Sequence, residues 1–366
     1  MSSPLKNLYS PAFYNRLCEA LSVSVPSFDS SKFTQLIYTD AFETMELKER
    51  MKHTTRVLHH FLPDDYEAGV SLIYKTIETL RKRGVGEDGL ANIFLPDYIE
   101  TYGLDHFQSS VEALEFITQF VSCEFAVRPF ILKYGTEMIR KMEKWALHPN
   151  YKVRRLASEG SRPRLPWAMG IPFLKKDPSE ILPILEHLKN DPSEWVRRSV
   201  ANNLNDIAKD HPGVVFKILK SWTGISKETD AILKHGSRTL LKQGHADVLK
   251  HYGLDDSGIK HENFRILNSR ISIGDSLEFE FLLRNENSIS KTVRLEYAIY
   301  YQKQNGQLNK KVYKISERMY PSGTSVQVNR KQKFVLITTR KFHTGLHRAS
   351  LIINGSEKES LDFELV

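Results

Sequence analysis

The spacing of apolar residues changes near residue 255, and this change limits the folds that the chain can adopt. Before it, apolar side chains recur at helical intervals in segments such as ALEFITQFVSCEFAVRPFIL and EILPILEHLKN, which Pro, Gly and Asp-Pro separate. After it, apolar and polar residues alternate, as strands with one buried face require. A chain of 366 residues can fill more than one core. We therefore predict two domains, a helical domain over 1–254 and a β-domain over 255–366.

Alternation in the second part predicts which side chains of two strands face the core. The residues that share one face of SLEFEFLLRN and of TVRLEYAIYY are Leu277, Phe279, Phe281 and Leu283, and Val293, Leu295, Tyr297, Ile299 and Tyr301. Similar runs follow at KVYKIS, KFVLITT, HRASLIING and ESLDFELV, with turn signals at Asn305-Gly306 and at 321–323. Seven or eight short strands in about 110 residues are typical of an immunoglobulin-like β-sandwich.

A sequence repeat predicts the architecture of the helical part. The segments HPNYKVRRLASEG and DPSEWVRRSVANN superpose with Pro149 on Pro192, an offset of 43 residues. HEAT-type helix pairs repeat every ~40–47 residues. A weaker third copy, ETDAILKHGSRTLLKQG, places Leu240 at 36 residues after Leu204. We expect stacked HEAT-like helix pairs that form a curved α-solenoid with an extended concave face.

One stretch of this solenoid is strongly basic but contains a carboxylate. Segment 151–167, YKVRRLASEGSRPRLPW, holds five Lys or Arg residues around Glu159 and ends at Trp167. Residues 128–164 hold ten Lys or Arg residues and three acidic residues. The pattern predicts a basic surface, suited to phosphates, with acceptor groups at its centre.

Helical spacing predicts which polar side chains share that surface. Arg155 and Glu159 lie four residues apart on a face that does not belong to the core, and Glu124 has Arg128 four residues later. One repeat further on, the equivalent positions are Arg198, Asn202 and Asp206. We expect stacking to align Arg155 with Arg198 and to leave Glu159 on the face that meets phosphates.

The same residues also have a purely structural interpretation. Glu–Arg pairs four residues apart are common on solvated helices and contribute only a few tenths of a kcal/mol. Arg154 and Arg197 suit contacts between stacked repeats, and Trp167 suits a packing role. Both interpretations stay open at this point.

Composition narrows the range of function classes. The net charge of +8 is compatible with a polyanionic partner. The sequence has neither a Gly-rich phosphate loop nor a His-Glu-x-x-His or Cys-x-x-Cys motif, and Cys18 and Cys123 are too few for a cysteine site, so we expect no metal and no cofactor. Without an apolar run of about 18 residues or a signal-like start, the chain is expected to be cytoplasmic, away from membranes and monomeric.

Several segments resemble the core motifs of the HEAT-like-repeat DNA glycosylases. They are EFAVRPF, VRRLASEGSRPRLPWA, DPSEWVRRSVANNLNDIAKDHP and LKHGSRTLLKQGH. The ending HTGLHRASLIING is similar to the immunoglobulin-like domain that the AlkC type, unlike its relative AlkD, can carry. The resemblance covers essentially the whole chain and is densest between residues 115 and 245.

The resemblance implies an enzyme of base excision repair. It would release cationic alkylated bases, chiefly 3-methyladenine and 3-methylcytosine, from duplex DNA, without a cofactor and without flipping the base. The catalytic carboxylates of the family then correspond to Glu124 and Glu159, and its base-excision aromatic residue to Trp167. Arg155 and Asp206 correspond to residues close to the lesion.

A wider set of residues is predicted to contact DNA along the groove or from the β-domain. The set comprises Arg154, Arg162, Arg164, Arg198, Asn202, Asn203, Arg238, Arg330, Lys331, Arg340 and Lys341. Because residues 270–348 hold 15 Lys or Arg residues and six acidic ones, we expect loops of the β-domain to clamp the DNA. The alternative is a non-catalytic HEAT scaffold that binds nucleic acid or an acidic protein, because HEAT arrays are mostly binding modules.

Overall fold

The computed structural model describes residues 4–335 and 341–366. The chain divides into two compact units, Met1–Gly236 and Ser237–Val366, called here the helical unit and the sandwich unit. The first strand begins at Ile259, close to the predicted change of periodicity at 254/255. The units divide earlier than that, because the short helices Arg238–Gln243 and Ala246–His251 belong to the sandwich unit.

The described part of the helical unit is built from α-helices joined by short turns. They are α1 (Pro11–Ser24), α2 (Ser30–Ile37), α3 (Leu47–His59), α4 (Tyr66–Lys82), α5 (Phe94–Tyr102), α6 (Phe107–Ile117), α7 (Val127–Tyr134), α8 (Thr136–Trp145), α9 (Tyr151–Gly160), α10 (Pro172–Lys176), α11 (Leu182–Leu188), α12 (Glu194–Ile207), α13 (Pro212–Trp222) and α14 (Lys227–Gly236). Short 3-10 helices lie at Leu5–Leu8, Phe42–Thr44, Leu90–Ile93 and Ser179–Ile181. The helices of the sandwich unit are α15 (Arg238–Gln243) and α16 (Ala246–His251). Among the described residues, none of these helices combines the length and apolarity that a membrane crossing needs.

The helix pairs stack as the repeat predicts. Helix α9 packs against α12, and α12 packs against α14. Gly236 permits the second contact, since a Cβ atom there would lie 2.9 Å from Leu204 Cβ. The third copy is confirmed only in part, because Leu240 lies in α15, which belongs to the other unit.

Hydrogen bonds repeat along with the sequence. Arg154 Nη1 donates to the carbonyls of His148 and Pro149, at 2.9 and 2.8 Å. Exactly one repeat later, at the offset of 43 residues, Arg197 Nη1 donates to the carbonyls of residues 191 and 192, both at 2.8 Å. Each arginine therefore fixes the turn that precedes its own helix.

The sandwich unit contains two sheets. One has the strand order β1-β3-β6 and the other the order β2-β8-β7-β4-β5, and neighbours are antiparallel except for β2 and β8. The strands are β1 (Ile259–Ile266), β2 (Arg270–Ile271), β3 (Ser276–Asn285), β4 (Lys291–Gln302), β5 (Leu308–Tyr320), β6 (Ser325–Lys333), β7 (Gly345–Ile353) and β8 (Ser356–Leu365). The apolar side chains predicted to share a face of β3 and of β4 are all buried in the core between the sheets.

One predicted strand of the sandwich unit lies mostly outside the described residues. The segment KFVLITT, residues 333–339, was expected to form a strand, but β6 ends at Lys333. Residues 336–340 lie outside the described part of the chain. The described strand is the polar segment SVQVNRKQK, which lies at the edge of its sheet and pairs with β3. Within β6, Val328 is buried and the other side chains are exposed or partly exposed, so the segment shows no strict alternation of apolar residues.

Candidate active site

Glu124 lines a cavity in the helical unit. It lies in the turn between α6 and α7, where its carboxylate accepts a hydrogen bond from Ser122 Oγ at 2.9 Å and pairs with Arg155 Nη2 at 2.8 Å. Its side chain is 19% exposed. The cavity has a volume of about 330 Å³, and its walls include Tyr151 and Trp195. Glu124 is thus a carboxylate of fixed orientation that a ligand can reach.

Glu159 lies in the interior, although its spacing predicts an exposed face. Its side chain is only 7% exposed and pairs with Arg162 Nη1 at 2.6 Å, not with Arg155. Arg162 Nε also donates to Asp206 Oδ2 at 2.8 Å, and Lys209 donates to the other oxygen of Asp206 at 2.9 Å. The prediction of an exposed Glu159 is wrong because α9 packs against α12, which carries Asp206.

The pKa values of the two buried arginines, Arg162 and Arg128, shift in opposite directions. Burial by itself lowers the pKa of Arg162, but the Glu159 and Asp206 carboxylates reverse the effect and raise it above its ordinary value. The pKa of Arg128 falls to about 10, because burial and the like charge of Arg162 prevail there. The carboxylates that oppose this fall are those of Asp206, Glu159 and Glu124. All three predicted carboxylates therefore lie within electrostatic range of one arginine.

Trp167 projects from the loop that follows α9. Its side chain is 63% exposed, so the packing interpretation of this residue does not hold. Its backbone has a φ of +63°, in the left-handed region that bulky residues rarely adopt. The indole is therefore presented to the surroundings by a loop of unusual conformation.

Comparisons with known proteins agree with this arrangement. Residues 76–242 match the model of the DNA alkylation repair enzyme family, and residues 260–366 match the C-terminal Ig-like domain of the uncharacterised protein YhaZ. The Bacillus subtilis protein YhaZ is 42% identical over 99% of each chain. The alkylpurine DNA glycosylase AlkC of Pseudomonas fluorescens, solved bound to DNA containing an abasic site analogue, is 33% identical over 100% of each chain, with a TM-score of 0.92.

The chain belongs to the AlkC-type alkylpurine DNA glycosylases. The resemblance seen in the motifs, the helical fold followed by an Ig-like sandwich and the assignment as an enzyme are confirmed. A non-catalytic scaffold is not supported.

Several predicted DNA contacts of this AlkC-type chain face inward. Arg154 is bound by Asp191, with Nε to Oδ2 at 2.6 Å, and Arg162 is bound as described above. Asn203 is fully buried and donates to the Ser158 carbonyl at 2.9 Å. We therefore correct the assignment of Arg162 and Asn203 from DNA contact to packing between helices, since both are buried, whereas Arg154 is partly exposed and remains a proposed DNA contact.

Other members of the predicted set lie at the surface of the helical unit. Arg198 is 60% exposed, with Glu194 at 3.7 Å and the Trp195 ring at 5.9 Å. Arg164 is 37% exposed and donates to both oxygens of Asp210. Asn202 is partly exposed. These residues remain proposed DNA contacts.

In the sandwich unit, two of the predicted contacts lie on a strand, although loops were expected, and Lys341 lies in the loop before β7. Arg330 and Lys331 are exposed residues of β6, and Lys331 pairs with Glu278 of β3 at 2.6 Å. Lys341 is exposed, and Arg238 in α15 is partly exposed. Arg340 lies outside the described residues.

The structure also adds residues that the motifs did not single out. Trp195 reaches the Glu124 cavity and Arg128 supports the Trp167 loop, while Lys48 contacts that loop from α3. The sequence repeat contains a signal for Trp195, because this residue stands 43 residues after Lys152 and both residues line the cavity. No local pattern points to Lys48, because its contact lies 119 residues away.

Proposed function

We propose that the chain hydrolyses the N-glycosidic bond of cationic N3-alkylated bases, chiefly 3-methyladenine and 3-methylcytosine, in duplex DNA. The observation that carries the proposal is the partly exposed carboxylate of Glu124, held by Ser122 and Arg155 at the wall of a cavity. The relative from Pseudomonas fluorescens supports it, since an abasic site is the product of such a reaction.

Carboxylates suit this chemistry because the leaving group is already activated. An N3-alkylated base is cationic, so it leaves as a neutral molecule with the electron pair of the C1′–N bond and needs no general acid. The sugar then becomes an oxocarbenium-like cation, which a nearby carboxylate stabilises. Water adds at C1′ and loses a proton, for which Glu124 is the proposed acceptor. Glu159 and Asp206, which both pair with the buried Arg162, are proposed to support the site from the interior.

Trp167 is proposed to contact the lesion. An exposed indole over a cationic base or sugar contributes about 0.5–2 kcal/mol through a cation–π contact. Enzymes that flip a base enclose it in a snug pocket between stacking side chains. The wall of the cavity beside Glu124 holds the charged Lys152 and Arg155 as well as the aromatic Tyr151 and Trp195, so the proposal that the base stays in the duplex rests on the family resemblance.

The sandwich unit is proposed to bind the DNA backbone and so act as a clamp. The support is the row of exposed cations on β6, Arg330, Lys331 and Lys333, at the edge of the three-stranded sheet. Such contacts would be made with phosphates and would carry no sequence information. The dependence of DNA affinity on salt concentration measures the number of these phosphate contacts.

The decisive experiment is an assay of released bases. Duplexes that contain a single 3-methyladenine or 3-methylcytosine are incubated with the protein, and free base and abasic strand are quantified against a sample without protein. We expect release of both bases. The fluorescence of a 2-aminopurine base placed next to the lesion should rise only weakly, because the lesion stays stacked in the duplex. Absence of base release would disprove the proposed activity, and strong brightening would disprove the retention of the base in the duplex.

A further inference from the structure

The conformation of Trp167 requires support from elsewhere in the protein. A bulky residue at a φ of +63° is held only where the surroundings fix the backbone. The indole itself is 63% exposed, so burial of this side chain does not supply the support. Contacts to the loop backbone must therefore be the source.

Arg128 fixes both ends of the loop. This fully buried side chain donates to the carbonyls of Gly160, Arg162 and Met169, at 2.9, 2.8 and 2.7 Å. The three carbonyls lie on either side of Trp167 in the sequence. Arg128 thus sets where the loop leaves and rejoins the fold, but none of these bonds reaches Trp167.

Lys48 reaches the tip of the loop. It lies in the first turn of α3, and its ammonium group donates to the carbonyl of Trp167. The same nitrogen lies 4.7 Å from the ring centre of Phe125, the residue after Glu124. A single side chain therefore contacts both the backbone of the exposed tryptophan and the segment that carries the Glu124 carboxylate.

We propose that Lys48 is a positioning residue that holds Trp167 in its left-handed conformation for base excision. This inference rests on the proposed function and deepens it. It adds a residue of α3 to those that serve base excision. Helix α3 precedes residues 76–242, which match the model of the alkylation repair family. Lysine suits this role because its ammonium group, at the end of a long flexible side chain, has three N–H donors for a carbonyl oxygen. Its positive charge also favours contact with the face of an aromatic ring.

Lys52 provides a matched control. It stands one turn further along α3, carries the same charge and is exposed. A lysine that merely attracts DNA should behave alike at both positions. A lysine that positions Trp167 should differ from Lys52 in an assay that contains no DNA.

The first test follows the tryptophan directly. The four tryptophans are replaced by 5-fluorotryptophan, and the Trp167→Phe variant identifies the ¹⁹F resonance of Trp167. We expect Lys48→Met to shift or broaden that resonance, Lys48→Arg to restore it and Lys52→Met to leave it unchanged. An unmoved Trp167 resonance in Lys48→Met would overturn the proposal, whatever the enzyme does to DNA.

The second test is a double-mutant cycle on base release under single-turnover conditions. Lys48→Met should slow excision about ten-fold at saturating protein, as expected when a positioned group shifts, while affinity for undamaged DNA changes no more than in Lys52→Met. In a Trp167→Ala background, Lys48→Met should have no further effect. Multiplicative losses in the double variant would contradict the proposal. If the wild type releases no base, the proposed function fails while the resonance experiment still decides the role of Lys48.

Discussion

The segment around α9 and the strand β6 are both rich in cations, but their charges lie in different environments. Around α9, each of the five cations in 151–167 pairs with a carboxylate from another part of the chain or from its own turn. The pairs are Lys152 with Glu87 and Asp88, Arg154 with Asp191, Arg155 with Glu124, Arg162 with Glu159 and Asp206, and Arg164 with Asp210. On β6 the cations are more exposed: Lys331 also meets a carboxylate, that of Glu278, but its side chain is 67% exposed.

The difference shows that a local count of charges does not describe a surface. Most of the acids that meet the α9 cations lie outside 128–164, the window in which the basic excess was counted. Neutralised arginines organise the interior and the cavity wall. Exposed cations on an edge strand remain available for phosphate.

The largest expected effect tests whether the interior pair is structural. Glu159→Gln removes one of the two carboxylates that bind the buried Arg162, and the free energy of unfolding should fall by about 2 kcal/mol. Urea denaturation followed by circular dichroism measures this loss. Excision per folded molecule should also fall at least about ten-fold. Unchanged stability would show that the pair contributes nothing to the fold, and the contrast with β6 would then disappear.

A smaller effect is expected at the cavity wall. Glu124→Gln should lower the single-turnover excision rate at least about ten-fold, which corresponds to ~1.4 kcal/mol in the barrier. Because the change weakens one ion pair and one hydrogen bond of a side chain that is 19% exposed, the free energy of unfolding should fall by about 1 kcal/mol, less than in Glu159→Gln. Affinity for undamaged DNA should be retained, since the change removes negative charge beside phosphates. An excision rate equal to that of the wild type would remove Glu124 from the mechanism.

The smallest effect is expected on β6. The double variant Lys331→Gln/Lys333→Gln should flatten the dependence of DNA affinity on salt, by up to about 0.9 in the logarithmic slope for each lost phosphate contact. Lys260→Gln is the matched control, because Lys260 is an exposed lysine of β1, the opposite edge strand of the same sheet. Lysines also protect edge strands from pairing with other chains. An unchanged slope together with self-association of the double variant would assign these lysines to edge protection and refute the clamp.

Much of the fold follows from local patterns in the sequence. Alternation placed the buried faces of β3 and β4 correctly, because each side of a strand is set by the covalent geometry of successive residues. The offset of 43 residues places Arg154 and Arg197 at equivalent positions, and each binds the turn that precedes its own helix. The motif segments also identified the enzyme family.

The tertiary structure alone decided which charges meet. Helical spacing suggests pairs within one helix, but Glu124 meets Arg155 of α9, and Arg162 links Glu159 to Asp206 of α12. Lys48 reaches Trp167 across 119 residues. Spacing fixes only the face of a helix on which a side chain stands, whereas burial and ion pairing depend on which faces pack together. That packing placed Glu159 inside the protein and left Glu124 and Trp167 accessible at its surface.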